Sequence, residues 1–163
     1  VVARQRALLR TAWLLTAWLL TGDWATAEDL VQTALMRAWP HWERISADNR
    51  ADAYVRRIMV NKSLDWKARR WNAEVPTEVL PEPRADGGGS PEAHHVLLGA
   101  IRSLPPWQRA TIVLRFFDDV SEADTAAAMG CSVGTVKSQS AKALATLRRH
   151  PGLADLRLQE SAL

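Results

Sequence analysis

The chain has 163 residues, room for two small helical domains or one of medium size, and its 47% hydrophobic content is that of a globular protein with a sizeable core. The formal net charge is only +3, and the single cysteine, Cys131, excludes an intramolecular disulfide and fits a reducing cytoplasm. There is no apolar run long enough to span a bilayer, no nucleophile–base pair, no phosphate-binding glycine loop and no metal-spaced histidine set, so the sequence predicts neither membrane insertion, an enzyme, a cofactor nor a metal site.

The first predicted helix covers residues 4–21 and ends at Gly22. It carries TAWLL twice in succession, at 11–15 and 16–20. Five residues rotate a helix by about 500°, which leaves the copies about 140° apart, so Trp13 and Trp18 cannot occupy equivalent environments. The stretch is apolar nearly all round, implying deep burial or an exposed patch. A duplication tolerated at a helix end is the plainest account of it. Because the chain begins with Val, the natural start is expected upstream.

A second helix starts at Asp23 or Thr26 and runs to about Trp39, where Pro40 is expected to stop it. Its periodic apolar set is Ala27, Leu30, Val31, Ala34, Leu35 and Ala38, with Glu28, Asp29, Gln32 and Arg37 left outside. The acids suit the positive end of the helix dipole. Beside Leu30, Val31, Gln32 and Leu35 they also form a mixed surface better suited to docking on a protein than on DNA.

The third helix is predicted from about Asn49, whose side chain can cap with Asp52, to about Trp71. Its polar surface carries Arg56, Arg57, Asn61, Lys62, Lys67, Arg69 and Arg70, with Tyr54, Trp66 and Trp71 interleaved. Cations offset phosphate charge. Aromatic rings can support unstacked bases at ~1–3 kcal/mol per base. Asn61 has both a donor and an acceptor for a base edge. Core packing is the better account of any single tryptophan, but the basic cluster as a whole points to nucleic acid.

Residues 72–92 hold four prolines, a triple glycine and five acids, the composition of a flexible acidic tether. On either side, residues 1–71 hold 12 basic and 7 acidic side chains and residues 93–150 hold 7 and 4. Two net-basic blocks around an acidic connector suit a protein that touches a polyanion at two places.

The second block opens with a predicted helix at 94–104, and Pro105-Pro106 starts another that runs to Phe117. Then comes SEADTAAAMGCSVGTVKSQSAKALATL, Ser121 to Leu147. Ser121 and Asp124 have capping-box spacing, Gly130 can stop the helix in the left-handed conformation, and Ser132 can cap a second helix. That second helix aligns Val133, Val136, Ala143, Leu144 and Leu147 and presents Thr135, Lys137, Ser138 and Lys142 to a partner. This is a helix-turn-helix, the kind of element that enters the DNA major groove. Residues 151–163 form a tail that is predicted either to make a short amphipathic turn or to fray.

Three stretches resemble regions 2 and 4 of an extracytoplasmic-function (ECF) sigma factor of the SigE-like group: GDWATAEDLVQTALMRAW, AYVRRIMVNKSLDWKARRW, and LPPWQRATIVLRFFDDVSEADTAAAMGCSVGTVKSQSAKALATLR. The resemblance implies an all-α fold of two small domains, region 2 over 1–71 and region 4 over 93–150, joined by the tether. It implies docking on the β′ clamp helices of core RNA polymerase through Glu28, Asp29, Leu30, Gln32 and Leu35. Capture of the melted −10 strand is implied for Ser46, Asn49, Arg50, Arg57, Asn61, Lys62 and Trp66. Reading of the −35 element is implied for Ser132, Thr135, Lys137, Ser138, Ala141 and Lys142. The implied partners are core polymerase, including its β flap, promoter DNA and an anti-sigma factor. Plain Gln139 and Ala141, and Ser140 at a commonly apolar position, depart from the family, so no promoter sequence transfers. The alternative is a conventional helix-turn-helix regulator that binds duplex operator DNA without polymerase.

Overall fold

A computed structural model describes residues 2–70 and 91–154; Trp71, nearly all of the expected tether and most of the expected tail lie outside the described residues. The described residues form helices with no strand. They are α1 (Val2–Thr21), α2 (Trp24–Ala38), α3 (Trp42–Ala47), α4 (Ala51–Arg70), α5 (Pro91–Ser103), α6 (Pro106–Ile112), α7 (Glu122–Met129) and α8 (Val133–Arg148).

Local chemistry sets most of the boundaries. The Asp23 carboxylate accepts the Thr26 amide at 2.8 Å and starts α2. Pro40 does not end the helical path. It sits at the start of a single 3₁₀ turn, Trp39–His41, where a missing amide leaves no bond unmade, and the chain continues into α3. Asn49 does not cap α4 but terminates α3: it has φ 54°, and the following Arg50 amide reaches back to the Ile45 carbonyl at 2.7 Å. α5 begins at Pro91, inside the stretch expected to be tether, with Glu92 in its first turn. α6 leads into one wide π-type turn, Val113–Phe117, rather than a regular helix to Phe117. Beyond α8, residues 151–154 continue as a helical turn, and a Cβ on Gly152 would come within 2.7 Å of Val96, so this turn lies against α5.

The first lobe is built from α1, α2 and α4 around Trp13, Ala17, Trp18, Ala27, Leu30, Val31, Ala34, Val55 and Met59. The TAWLL copies are part of this core rather than a tolerated addition. Their tryptophans are both buried but differ in partner. Trp13 donates its indole N–H to Asp52 at 2.8 Å, whereas Trp18 stacks on Trp24 at 5.4 Å with the Arg102 guanidinium 5.2 Å from its ring centre. Leu14 and Leu19 of α1 are half-buried against this core, whereas Leu8, Leu9 and Leu15 are exposed.

The second lobe, α5 to α8, packs Leu104, Ile112 and Ala143 with Leu144 and Leu147. The two lobes are not separate bodies held by a tether. A shared cluster joins Leu20 of α1 and Val60 of α4 to Ala110, Val113, Leu114, Ala128 and Met129, bordered by Leu19, Leu64, Val120 and Cys131. Two polar devices cross the same boundary. Arg109 of α6 is buried and donates to the carbonyls of Leu20 at 3.4 Å, of Leu104 at 3.3 Å and of Arg102, so one guanidinium serves the C-terminal ends of α1 and α5. Desolvation lowers its pKa to about 10, which leaves it charged at neutral pH.

Asp118, just after the π-type turn, accepts from the Thr16 hydroxyl at 2.8 Å and from Arg56 Nε at 3.1 Å; Arg56 also pairs with Asp52 at 2.8 Å. Trp13, Asp52, Arg56, Asp118 and Thr16 thus form one connected polar network. Burial pushes the Asp118 carboxyl above its ordinary range. The Thr16 hydrogen bond and the Arg56 charge oppose this, and the like charge of Asp52 adds to it.

Two outcomes follow. Arg109→Ala leaves carbonyls on both lobes unbonded and is expected to cost about 2–4 kcal/mol, a drop of roughly 5–10 °C in the thermal unfolding midpoint. Because the folded pKa of Asp118 is raised, its contribution is fully present below the ordinary carboxylate range and lost as pH rises through the raised value. Wild type should therefore lose stability relative to Asp118→Asn as pH rises from the ordinary carboxylate range through that raised value. Parallel thermal-midpoint profiles for the two chains would show that this carboxyl does not titrate as described.

Candidate nucleic-acid and polymerase interface

The helix-turn-helix is assembled by bonds between near neighbours. The Ser121 hydroxyl accepts the Asp124 amide at 3.0 Å and donates to the Asp124 carboxylate at 2.9 Å. Gly130 closes α7 with φ 67°, a conformation that would strain a residue carrying a Cβ. Ser132 then caps α8 by accepting the Thr135 amide at 3.1 Å, with the two hydroxyls 3.0 Å apart. Thr135 is half-buried and committed to this cap. Val136 and Ala143 are fully buried, seven residues apart on the side of α8 that packs on α6 and α7. Anchoring that side turns Ser132, Lys137, Ser138, Ala141 and Lys142 to the surface, where all five are exposed. Lys137 lies 3.8 Å from the Glu122 carboxylate, an exposed pair that is weak and easily exchanged for a phosphate.

On α4, Arg57 and Asn61 are one turn apart and exposed, with Lys62 half-buried beside them. Ser46, Asn49 and Arg50 are exposed in and just after α3, at the N-terminal end of α4. Trp66 falls within α4, and its side chain lies outside the described residues. Arg56, counted from the sequence with the free basic surface, is instead occupied by Asp52 and Asp118.

On α2, Glu28, Asp29 and Gln32 are exposed and Leu35 is half-buried. Leu30 is a correction: it has 0% exposure and belongs to the first-lobe core, so its side chain holds α2 in place and does not meet a partner. Two docking candidates were missed. Met36 is 76% exposed and Trp39 74%, and they continue the surface that begins at Gln32 with spacings of four and three residues. Their signal was present in the sequence, since both fall outside the periodic core set of α2. Beside them, Trp39, Pro40, His41, Trp42, Glu43 and Arg44 line a shallow hollow, and His41 meets Tyr54 edge-on at 6.0 Å. Among the described residues no group of His, Cys, Asp or Glu is arranged to hold a metal, and no helix is long and apolar enough to cross a membrane.

The chain is similar to known proteins over nearly its whole length. The model of sigma-70 region 2 matches residues 2–73, and the model of sigma-70 region 4 matches residues 94–147. The chain is 44% identical over 157 residues to the RNA polymerase sigma-E factor of Streptomyces antibioticus, spanning 96% of this chain and 84% of that one. The ECF RNA polymerase sigma factor SigM of Mycobacterium tuberculosis is 36% identical over 125 residues, 76% of this chain and 63% of that one. The chain belongs to the extracytoplasmic-function group of RNA polymerase sigma factors. Among solved structures, the sigma factor RpoE of Bartonella quintana, in complex with the anti-sigma factor NepR, matches this sigma factor with a TM-score of 0.74 at 25% identity. That match covers 90% of this chain and 94% of the other.

The different burial of neighbouring α2 residues separates core from surface experimentally. Leu30→Ala is expected to cost about 2–5 kcal/mol in denaturant unfolding. Trp39→Ala should stay within about 0.5 kcal/mol of wild type. A large stability loss at Trp39 would mean that this ring is a packing residue and not a surface one.

Proposed function

We propose that this sigma factor gives core RNA polymerase its promoter specificity through three surfaces, one on each of α2, α4 and α8. The exposed side of α2 (Glu28, Asp29, Gln32 and Leu35, extended by Met36 and Trp39) docks on the β′ clamp helices. Its acids and amide supply directional bonds. The methionine and tryptophan supply apolar anchors of the kind that dominate protein interfaces.

α8 enters the major groove at the −35 element. Lys137 and Lys142 reach bases or phosphates, Ser138 supplies a hydroxyl, and Ala141 lets the helix approach closely. Ser132, at the N-terminal end, is placed against a phosphate. At the −10 element a base must leave the stack before its edge can be read. Asn61 pairs with that edge, Ser46, Asn49 and Arg50 bound the pocket, and Arg57 and Lys62 hold the strand by its phosphates, with Trp66 further along α4.

Residues 1–71 and 93–150 are then the two working regions, with 72–92 as the connection and the second lobe also meeting the β flap. An anti-sigma partner is part of this reading, supported by the NepR complex of the related RpoE. The site of action is the cytoplasm, where polymerase and promoter are.

The observation that carries the proposal is the capped α7–Gly130–α8 unit, whose buried Val136 and Ala143 orient an outward basic surface, in a chain whose other half matches sigma region 2. A conventional regulator would leave that region and the exposed end of α2 without a role.

Run-off transcription from a pool of promoter fragments, with core polymerase and with or without this chain, tests the function. Defined start sites that depend on the chain are expected, and their absence would refute it. Lys137→Ala should weaken promoter binding by about 1–3 kcal/mol if it reads a base, or lower the salt slope by about one if it meets a phosphate. Trp39→Ala should weaken capture of core polymerase at least about tenfold while leaving the fold intact.

A further inference from the structure

We infer that Lys137 and Lys142 of α8 are an N-acylation site for a small acyl donor that carries phosphate. Their modification withdraws the chain from promoter DNA and leaves its polymerase-docking surface intact. The inference rests on the sigma reading and names a regulation of the α8 surface.

The first support is where lysine occurs. The chain has four lysines, Lys62, Lys67, Lys137 and Lys142, against seventeen arginines. All four fall within α4 or α8, the helices proposed to meet DNA. The cations that hold the fold together are arginines. Arg109 donates to the carbonyls of Leu20 and Leu104, Arg56 pairs with Asp52 and Asp118, and Arg102 lies over the Trp18 ring. A guanidinium stays protonated and delocalised, whereas an ammonium can release a proton and become a nucleophilic amine. Among side chains of basic type, an acylating electrophile therefore changes charge on the DNA-reading helices alone. The arginine contacts of the core and the docking surface of α2, which has no lysine, are left as they are.

The second support is access. Lys142 is exposed and has no ion-pair partner among the described residues. Lys137, with its side chain 64% exposed, has only the loose 3.8 Å contact with Glu122. Lys62 is half-buried, and the side chain of Lys67 lies outside the described residues. A surface whose charges attract backbone phosphate attracts an acyl donor carrying phosphate in the same way. An acyl phosphate and a nucleotide-linked acyl thioester share that chemistry.

The third is what the reaction removes. The neutral Nζ attacks the acyl carbonyl carbon and an N–C bond forms. The bond from that carbon to phosphate oxygen or to sulfur breaks, the leaving phosphate or thiolate keeps the electron pair, and the proton from nitrogen passes to it or to water. Nothing is oxidised or reduced, and the product amide is uncharged. Each ammonium set against a phosphate adds about 0.9 to the salt slope, so losing two weakens binding roughly thirtyfold at about 0.15 M salt. Acylation of Lys137 also leaves the Glu122 carboxylate unanswered beside α8, where it repels the DNA backbone.

Two experiments on the full-length chain test the site and its consequence. Acetyl phosphate and acetyl-coenzyme A, applied separately, distinguish the two donors, and peptide mass spectrometry locates the acetyl groups. Lys137 and Lys142 are expected to be modified ahead of Lys62 by at least one donor. Nε-acetyl-lysine installed at both positions during translation then isolates the effect. That chain should still be captured by core polymerase, yet bind promoter DNA with a salt slope lower by about two and give at least about tenfold fewer run-off transcripts. Failure of both donors to acetylate the α8 lysines would overturn the proposal. So would installed acetyl groups that leave promoter binding unchanged, or that abolish polymerase capture as well. An unmodified chain silent in run-off would refute the sigma reading, and the acetylation map with the salt slope on duplex DNA would still decide whether α8 carries the site.

Discussion

A carboxylate placed between two helical lobes is tolerated only if its oxygens are bonded and its charge is answered, and Asp118 meets that requirement from both sides. Its acceptors are filled by Thr16 of α1 and Arg56 of α4, and Arg56 is held in turn by Asp52, which also receives the Trp13 indole. Hydrogen bonds to charged groups contribute about 1.5–3 kcal/mol each, but desolvation consumes much of that, as the raised Asp118 pKa records. What the network supplies is register. It fixes which turn of α1 and which turn of α4 face the second lobe, and the apolar contacts of Val60, Leu114 and Met129 close around that alignment.

The same constraint divides the surface of α4 by function. Arg56, Val60 and Leu64 face the other lobe, while Arg57 and Asn61, each one position further along, remain exposed. A single helix thus carries both part of the boundary between the lobes and the residues proposed to take the melted strand. On α2 and the turn after it the division falls between Leu30, sealed in the core, and the exposed side chains of Gln32, Met36 and Trp39. The α4 surface therefore lies next to the second lobe, whereas the α2 surface lies on the first lobe.

Much of this architecture is legible in the sequence. The capping serines 121 and 132, the left-handed Gly130, the Asp23 cap and the outward set on α8 all depend on partners within a few residues. The different fates of Trp13 and Trp18 followed from the phase of the repeat. The segment from Pro40 to Arg50 was misjudged because a proline reads as a stop whether it ends one helix or begins another turn. Asn49 reads as a cap whether it starts a helix or, in the left-handed conformation, ends one. Met36 and Trp39 were overlooked because apolar side chains are expected inside, although their phase already placed them off the core.

The sequence by itself determined the helices, their caps, the helix-turn-helix and the family motifs, because each rests on bonds between near neighbours or on a periodic pattern that any local window contains. Only the tertiary structure decided that the lobes are packed together, that Arg56 is occupied rather than free, and that Arg109 bridges the ends of α1 and α5. Thr16 and Asp118 are 102 positions apart, Arg56 and Asp118 are 62 apart, and Arg109 and Leu20 are 89 apart. No periodicity or propensity links residues at such separations. They meet because burying the shared apolar cluster brings the surfaces together, and the polar groups at its edge must then find partners where the packing has placed them.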